Sequence, residues 1–290
     1  MAFADLKKKS GSFANLTKEI EKMSSGGKKV DERFWKPQVD KSGNGFAVIR
    51  FLPESEGADL PWAQVWSHAF QGPGGWYIEN SLTTLGQKDP VSALNSSLWN
   101  SGNESDKDIA RKQKRKLSYY SNIYVVKDPA NPDNEGKVFL FRFGKKIFDK
   151  ITAAMQPEFE DEEAINPFDF WQGANFKLKI KKVAGYWNYD SSEFAAPSAL
   201  LDDDDALEAL WKKEYSLSEL VSADQFKSYD DLKKRLEYVL GLRGATPRQD
   251  PETVAEEEEV VPQPVAATSS TTTDSDEEDA LSYFAKLAEN

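Results

Sequence analysis

A dense run of cations lies beside aromatic residues in the middle of the chain. The six residues 111–116 contain five cations, and two segments rich in aromatic residues follow, 117–126 and 137–143. Nucleic-acid bases stack on aromatic rings, and phosphate groups pair with Lys and Arg. In a chain with a formal net charge of −12, this basic and aromatic block predicts a groove for single-stranded nucleic acid.

The same block has a second interpretation. Side chains alternate between the two faces of a strand, so Tyr119 and Tyr120 point to opposite sides. One of these faces is then expected to be ordinary hydrophobic core, with the lysines solvated at the strand ends. The pattern alone leaves both a nucleic-acid site and a hydrophobic sheet open.

Short strands dominate the part of the chain that must position this block. Alternating or β-branched and aromatic segments predict strands at residues 45–53, 62–70, 76–79, 117–126, 137–143 and 174–190. A helical period predicts a helix at 145–155, and residues 202–240 are mostly helical, whereas 81–105 show no clear pattern. This order predicts a mainly β fold with helical and loop insertions, built on a five-stranded Greek-key barrel of the oligonucleotide-binding (OB) type.

The two ends of the chain differ from its middle. Residues 1–29 form a basic arm with short helical patterns, residues 30–241 form the predicted core, and residues 242–290 form an acidic tail. The last forty residues contain eleven acids and one lysine, which gives a net charge of −10, so the other 250 residues sum to only −2. Because its composition cannot bury a core, we expect the tail to be disordered.

Composition excludes several classes of protein. The chain has no cysteine, so disulfides and thiolate metal sites are excluded. No apolar run approaches the roughly 20 residues of a membrane helix, and the first ten residues lack the apolar region of a secretory signal. We therefore expect neither a membrane partner nor export.

A run of four aspartates, Asp202 to Asp205, allows an alternative function. Carboxylates can hold two metal ions for phosphoryl chemistry, which would suit a metal-dependent nuclease acting on single-stranded nucleic acid. Four consecutive aspartates point in different directions, however, and such a run before a helix more often caps it and favours its dipole. The sequence therefore favours binding over catalysis.

Longer segments carry a family resemblance. The most specific are GNGFAVIRFLP (43–53), KRKLSYYSNIYVVKDPANPDNEGKVF (114–139), FRFGKKIFDKI (141–151) and GANFKLKIKKVAGYWNYD (173–190). The chain resembles the single-stranded DNA-binding, or helix-destabilising, proteins of T-even-type bacteriophages over most of residues 40–240. The basic N-terminal arm and acidic C-terminal tail match in type.

The resemblance implies an OB-fold core whose cleft is lined by aromatic residues and cations. With the basic block, the candidate DNA-binding residues are Trp99, Arg111, Lys112, Lys114, Arg115, Lys116, Tyr119, Tyr120, Phe141, Arg142, Lys145, Lys146, Tyr186 and Tyr189. No catalytic residue is implied. The implied function is cooperative coating of single-stranded DNA, without sequence specificity, in phage DNA replication, recombination and repair.

The resemblance also implies partners for the two ends. Lys7, Lys8, Lys9 and Ser10 match a family motif that drives association between neighbouring copies, and the cations of 114–116 before Ser118 repeat it with one intervening residue. The acidic tail is expected to contact phage replication and recombination proteins. The implied location is the cytoplasm of an infected bacterium.

One family feature is missing. Members carry a structural zinc held by one His and three Cys, and here only His68 remains, with Ser81, Asp89 and Ser92 near the cysteine positions. Because serine is a poor zinc ligand, we expect no zinc and a His68 satisfied by a hydrogen bond. Residues 81–105 are then expected to be held by packing, through Leu85, Leu94, Leu98 and Trp99.

Overall fold

Nine strands run through residues 31–159 and 161–242, the part of the chain that the computed structural model describes. They are β1 (Phe34–Trp35), β2 (Gly45–Phe51), β3 (Ala63–Gly72), β4 (Gly75–Asn80), β5 (Lys116–Lys127), β6 (Val138–Phe143), β7 (Ala174–Val183), β8 (Tyr186–Asn188) and β9 (Glu193–Pro197). The mainly β prediction is confirmed. The expectations for the arm, 1–29, and for the acidic tail, 242–290, lie outside the described residues except at Leu242.

The long strand β5 organises the sheet. It pairs antiparallel with β2, β3 and β6, and β1 adds to β6 in parallel. On the other side, β2 continues to β7, which pairs with β8 and β9, while β4 pairs with β3. An irregularity between Val48 and Ile49 changes the register of β2 against β5. The described elements belong to one compact unit.

Alternation along the strands builds the main hydrophobic core, which we call the sheet core. Ile49 and Phe51 on β2 and Ile123 on β5 are fully buried, because every second side chain of these strands points inward. The predicted helix is confirmed as α3 (Lys145–Met155), which buries Ile147 and Ile151 against this core; in the order of the chain it follows α1 (Pro90–Trp99) and α2 (Glu104–Lys112).

The outward face of β5 and β6 is covered by the segment that follows β9. The helix α4 (Asp204–Trp211) buries Leu207 and Leu210 against Leu52, and Asn122 exchanges two hydrogen bonds with the backbone of Tyr215. Residues 202–240 also contain α5 (Tyr229–Val239), as the helical pattern predicted.

The aspartate run caps α4. The side chain of Asp203 accepts a hydrogen bond from the N–H of Asp205, and Asp204 and Asp205 lie in the first turn. Within the described residues, no group of three His, Asp or Glu side chains could hold a metal ion. The capping interpretation of the run is confirmed.

The β3–β4 hairpin, α1, α2 and α5 form a second region, which we call the helical lobe. Its apolar cluster joins Phe70 and Tyr77 of the hairpin to Val91 of α1 and Leu232 and Leu236 of α5. At the hairpin turn, Gly74 donates its N–H to the Val239 carbonyl at 2.8 Å. No helix in the described part of the chain is long and apolar enough to cross a membrane.

The sequence prediction found no clear pattern in residues 81–105 and missed two helices of the helical lobe. The first, α1, buries only Pro90 and Val91, and α2 buries only Ala110, so few buried residues mark either helix. Their caps were readable: Asp89 and Asn103 each accept hydrogen bonds from the first-turn N–H groups. Cap residues, more than hydrophobic spacing, mark helices of this kind.

Candidate nucleic-acid interface

The basic block, residues 111–116, connects the helical lobe to strand β5. Arg111 and Lys112 end α2, and Lys114 and Arg115 lead directly into β5. Arg111 is paired with Glu104 and Asp108. Among the ion pairs of the described residues, none involves the exposed cations Lys112, Lys114, Arg115 and Lys116. Those four charges are therefore available to an anionic ligand.

Arg115 stacks on an aromatic ring from the neighbouring strand. Its guanidinium carbon lies 4.1 Å from the centre of the Trp66 ring, and Trp66 is the cross-strand partner of Leu117. A cation over an indole face is a favourable contact that fixes both groups. The sequence analysis missed Trp66, because Arg115 reaches it across the sheet and not along the chain.

Tyr120 forms a second pair of ring and cation. It is the cross-strand partner of Arg142, whose guanidinium carbon lies 6.0 Å from the ring centre. Arg142 is exposed and donates from Nε to Ser118 Oγ at 3.0 Å. The Tyr120 ring is half-buried and meets Phe34 edge to face, and burial raises the pKa of its hydroxyl.

Two of the predicted stacking rings belong to the core. Tyr119 is 6% exposed and Phe141 is 3% exposed. Tyr119 stacks on Phe148 with ring centres 3.9 Å apart, and Phe141 meets Trp35 edge to face. Neither ring has an open face for a base, so the prediction that they stack on DNA is corrected: inward alternation places both in the sheet core.

The remaining predicted residues are spread around the block. Trp99 ends α1, with the Arg111 guanidinium 5.5 Å from its ring, and Lys145 and Lys146 open α3 with exposed side chains. Tyr186 is 79% exposed in the β7–β8 hairpin. The structure thus pairs Arg115 with Trp66, Arg111 with Trp99 and Arg142 with Tyr120, and puts Tyr186 on a separate hairpin.

That hairpin carries further candidates. Trp187, which the sequence analysis did not select, is 49% exposed beside Tyr186 and is the cross-strand partner of Lys182. Tyr189 instead is half-buried and packs against the sheet core. The Lys150 ammonium donates to the Asp190 carbonyl at 3.0 Å, and this hydrogen bond links α3 to the loop. An exposed ring paired with a lysine across two strands again combines stacking with charge.

A buried polar group anchors the basic block to the helical lobe. Asp89 accepts from the N–H groups of Val91 and Ser92 at 3.0 Å and of Leu82 at 3.1 Å. His68 Nε2 lies 3.4 Å from Asp89 Oδ1, and its Nδ1 lies 2.9 Å from the carbonyl oxygen of Gln113.

The position of Gln113 makes this chain of contacts relevant to the interface. Gln113 ends α2 and directly precedes Lys114, and its carbonyl also accepts from Asn95 at 3.1 Å. Burial raises the pKa of Asp89, but the neighbouring His68 side chain and the N–H donors outweigh burial and lower that pKa to about 2. Asp89 is therefore a compensated buried anion that fixes the start of the basic block.

These residues do not fit a zinc ion. A structural zinc site takes four nitrogen or sulfur ligands, and here Ser81 and Asp89 lie near the family's cysteine positions. Ser81 shares a hydrogen bond with Thr83, and Asp89 is occupied by backbone N–H groups. The predicted hydrogen bond of His68 is confirmed, and Leu85 and Leu94 pack against the lobe cluster as expected. The Asp89 network was not foreseen.

Comparison with known proteins assigns the family. The family described as "gp32 DNA binding protein like" matches residues 43–240. The chain belongs to this family. It is 41% identical over 263 residues to a single-stranded DNA-binding protein of Enterobacteria phage T2, and 40% identical over 262 residues to one of Enterobacteria phage T4, with 85% of both chains covered in each case. A single-stranded DNA-binding protein of Enterobacteria phage RB70 is 37% identical over 116 residues, which cover 38% of this chain and 96% of that protein.

Proposed function

We propose that this gp32-like chain is a phage single-stranded DNA-binding protein that coats DNA without sequence specificity. The observation that carries the proposal is the Arg115–Trp66 stack beside Lys112, Lys114 and Lys116, exposed cations that take part in no ion pair found among the described residues. Such a surface offers a ring for any base and charges for the flanking phosphates. The printed names of the T2 and T4 relatives agree with this function.

The same geometry supports tolerance of sequence. Stacking on a ring reads the flat face that every base has, and Lys and Arg at phosphates carry no sequence information. Binding should therefore depend strongly on salt, since each neutralised phosphate releases condensed counterions.

An OB barrel is the architecture we propose for the core. Its support is the pairing of β2 with both β5 and β7, the continuation of β5 to β6, and the helix α3 between β6 and β7. Such small barrels bind oligonucleotides on one face of their strands. The nuclease alternative has no such support, because the aspartate run caps α4.

The proposal extends to the two ends of the chain. Lys7, Lys8, Lys9 and Ser10 would contact a neighbouring copy on the same strand and make coating cooperative. The acidic tail would dock replication and recombination proteins in the cytoplasm of the infected host. Both proposals are supported by the charge contrast between these segments and by the family.

The test of the central proposal is a Trp66→Ala variant titrated with several short oligonucleotides of different sequence. Loss of one stacked base is expected to weaken binding by about 1–3 kcal/mol for every sequence. Trp76→Ala is the matched control, since Trp76 is 54% exposed on the same hairpin, and no cation–ring contact found in the described chain involves it. Equal affinities for wild type and Trp66→Ala would refute the stacking role. Incubation with Mg²⁺ and labelled DNA checks for cleavage, which we expect to be absent.

A further inference from the structure

A second surface lies away from the basic block. The loop of residues 53–58, the pair Phe170 and Trp171, and helix α4 enclose an open cavity of about 480 Å³. Leu207 and Trp211 complete its apolar lining, and Trp171 is 57% exposed. The two indoles are held in place, since Trp171 Nε1 donates to Asp204 at 2.8 Å and Trp211 Nε1 donates to the Glu54 carbonyl at 2.9 Å.

The rim of this cavity is acidic. Glu54, Glu56, Asp204 and Glu208 line it, and among the ion pairs of the described residues only Glu208 has a partner, Lys212. The excess negative charge acts on its surroundings. Burial, and then the charge of Glu54, raise the pKa of nearby Glu214 to about 8. A phosphate backbone would be repelled here, so the cavity is unsuited to DNA.

The cavity also contains an unused polar group. Ser55 lines it, is 6% exposed, and its buried hydroxyl has no hydrogen-bond partner among the described residues. An unpaired buried hydroxyl costs free energy that a bound polar group would recover. Apolar walls, an acidic rim and a free hydroxyl together fit a peptide that carries apolar side chains next to cations.

The chain itself contains such a peptide. The N-terminal sequence MAFADLKKKS places Phe3 and Leu6 directly before Lys7, Lys8 and Lys9. We propose that this cavity receives residues 3–9 of a neighbouring copy, with the two apolar side chains against the indoles and the lysines at the carboxylates. The inference rests on the proposed self-association through the arm and gives that association its acceptor. An arm bound within its own chain would link no neighbours, so the contact is assigned between copies.

The experiment uses the full chain and compares binding to a short oligonucleotide, which holds one copy, with clustering on a long strand. The cavity variant is Glu54→Gln/Glu56→Gln/Asp204→Asn, which removes three exposed charges and keeps an acceptor for Trp171. The charge-matched control is Glu32→Gln/Asp133→Asn/Asp224→Asn, at exposed positions outside the cavity. The arm variant is Lys7→Ala/Lys8→Ala/Lys9→Ala.

We expect the cavity variant to cluster about tenfold more weakly than the control, because three ion pairs of a few tenths of a kcal/mol to 1 kcal/mol are lost. Its affinity for the short oligonucleotide should equal that of the control. Combining the cavity and arm variants should bring little further loss, since both remove the same contact.

A mixture of the cavity and arm variants tests whether the contact joins two copies. One partner then supplies an intact arm and the other an intact cavity, so pairs should form on long DNA without longer clusters. Absence of such pairs would overturn the contact between copies. Wild-type clustering by the cavity variant, with loss in the arm variant, would overturn the cavity as acceptor and leave the arm's role standing. Wild-type clustering by both would overturn self-association through the arm as well.

Discussion

The sheet core and the helical lobe are held together by different means. The sheet core is a continuous cluster in which Phe51 alone meets four other rings at centre distances of 5.5–6.4 Å. The helical lobe has a smaller apolar cluster and adds the buried Asp89 with its three backbone N–H donors and His68. Non-directional packing tolerates small shifts, whereas a hydrogen-bonded carboxylate fixes a position. The lobe therefore has the means to set where the basic block begins.

The largest expected effect is on the free energy of unfolding, through the sheet core. Phe51→Ala should lower the free energy of unfolding by about 3–5 kcal/mol, since it leaves a cavity among packed rings. Urea unfolding measures this loss. Phe46→Ala on the same strand is the control, because Phe46 is 43% exposed, and a similar loss there would contradict the assignment of the core. The folded fraction of Phe51→Ala should bind DNA normally.

The second effect separates the two regions. Asp89→Ala should cost about 2–4 kcal/mol, because it leaves three backbone N–H groups without their acceptor. Amide hydrogen exchange should rise in residues 82–113 and stay slow in β2 and β5. DNA binding should weaken even in the folded protein, as Gln113 and Lys114 lose their anchor. Asp89→Asn keeps one acceptor oxygen and should recover part of both losses; uniform exchange across the molecule would show that the lobe has no separate stability.

The two buried carboxyls give opposite dependence on pH. Asp89 has a pKa lowered to about 2, so its contribution to stability is present above about pH 4 and is lost as the pH falls toward 2. Glu214 lies in the segment that covers β5 and β6, and burial raises the pKa of its carboxyl to about 8. Its favourable protonated form is complete below about pH 4.5 and is lost as the pH rises to about 8.

Glu214→Gln should therefore stabilise the protein by about 1–2 kcal/mol at pH 8 to 9 and change little at pH 4. Thermal unfolding across this pH range measures the difference. The control Glu158→Gln changes an exposed carboxylate and should leave the curve unchanged. A gain in stability at pH 4 equal to that at pH 8 would mean that the carboxyl does not titrate between them.

The smallest effect contrasts two neighbouring cations at the end of α2. Lys112 has no ion pair among those of the described residues, whereas Arg111 is held by Glu104 and Asp108. If Lys112 meets a phosphate, Lys112→Ala should reduce the slope of log affinity against log salt by about one. Arg111→Ala should reduce it by less, because its charge is already compensated. Equal slopes for the two variants would show that the ion pairs of Arg111 do not change its contribution to DNA binding relative to that of Lys112.

Sequence reasoning predicted the strands of the large sheet better than the helices of the lobe for a physical reason. Strands such as β2 and β7 alternate buried and outward residues, and this pattern is visible in the letters. The helices of the lobe bury one or two residues each and are defined by their caps. The Asp89 network joins residues far apart in sequence, so no local sequence pattern predicts it.

The candidate interface was predicted in part for a similar reason. The cations of residues 111–116 were visible as a run, and no ion pair within residues 31–159 and 161–242 involves four of them. The sequence could not show which of the two neighbouring tyrosines is buried: Tyr119 belongs to the core, and Tyr120 faces Arg142. The role of Trp66 could not be inferred from the sequence, because Trp66 lies on β3 and its cation, Arg115, lies just before β5. Contacts between side chains across a sheet depend on which residues of the two strands lie opposite each other. Hydrophobic alternation shows which face a side chain takes, but it does not give this register.

The chain contains a single histidine, and it sits at the junction between Asp89 and Gln113. In nuclear magnetic resonance spectra, every imidazole signal of the untagged protein therefore reports on this one position. A change in those signals when DNA is added would register a movement of the helical lobe against the start of β5 without any introduced label. Unchanged signals at saturating DNA would identify a lobe that is already set before the strand arrives.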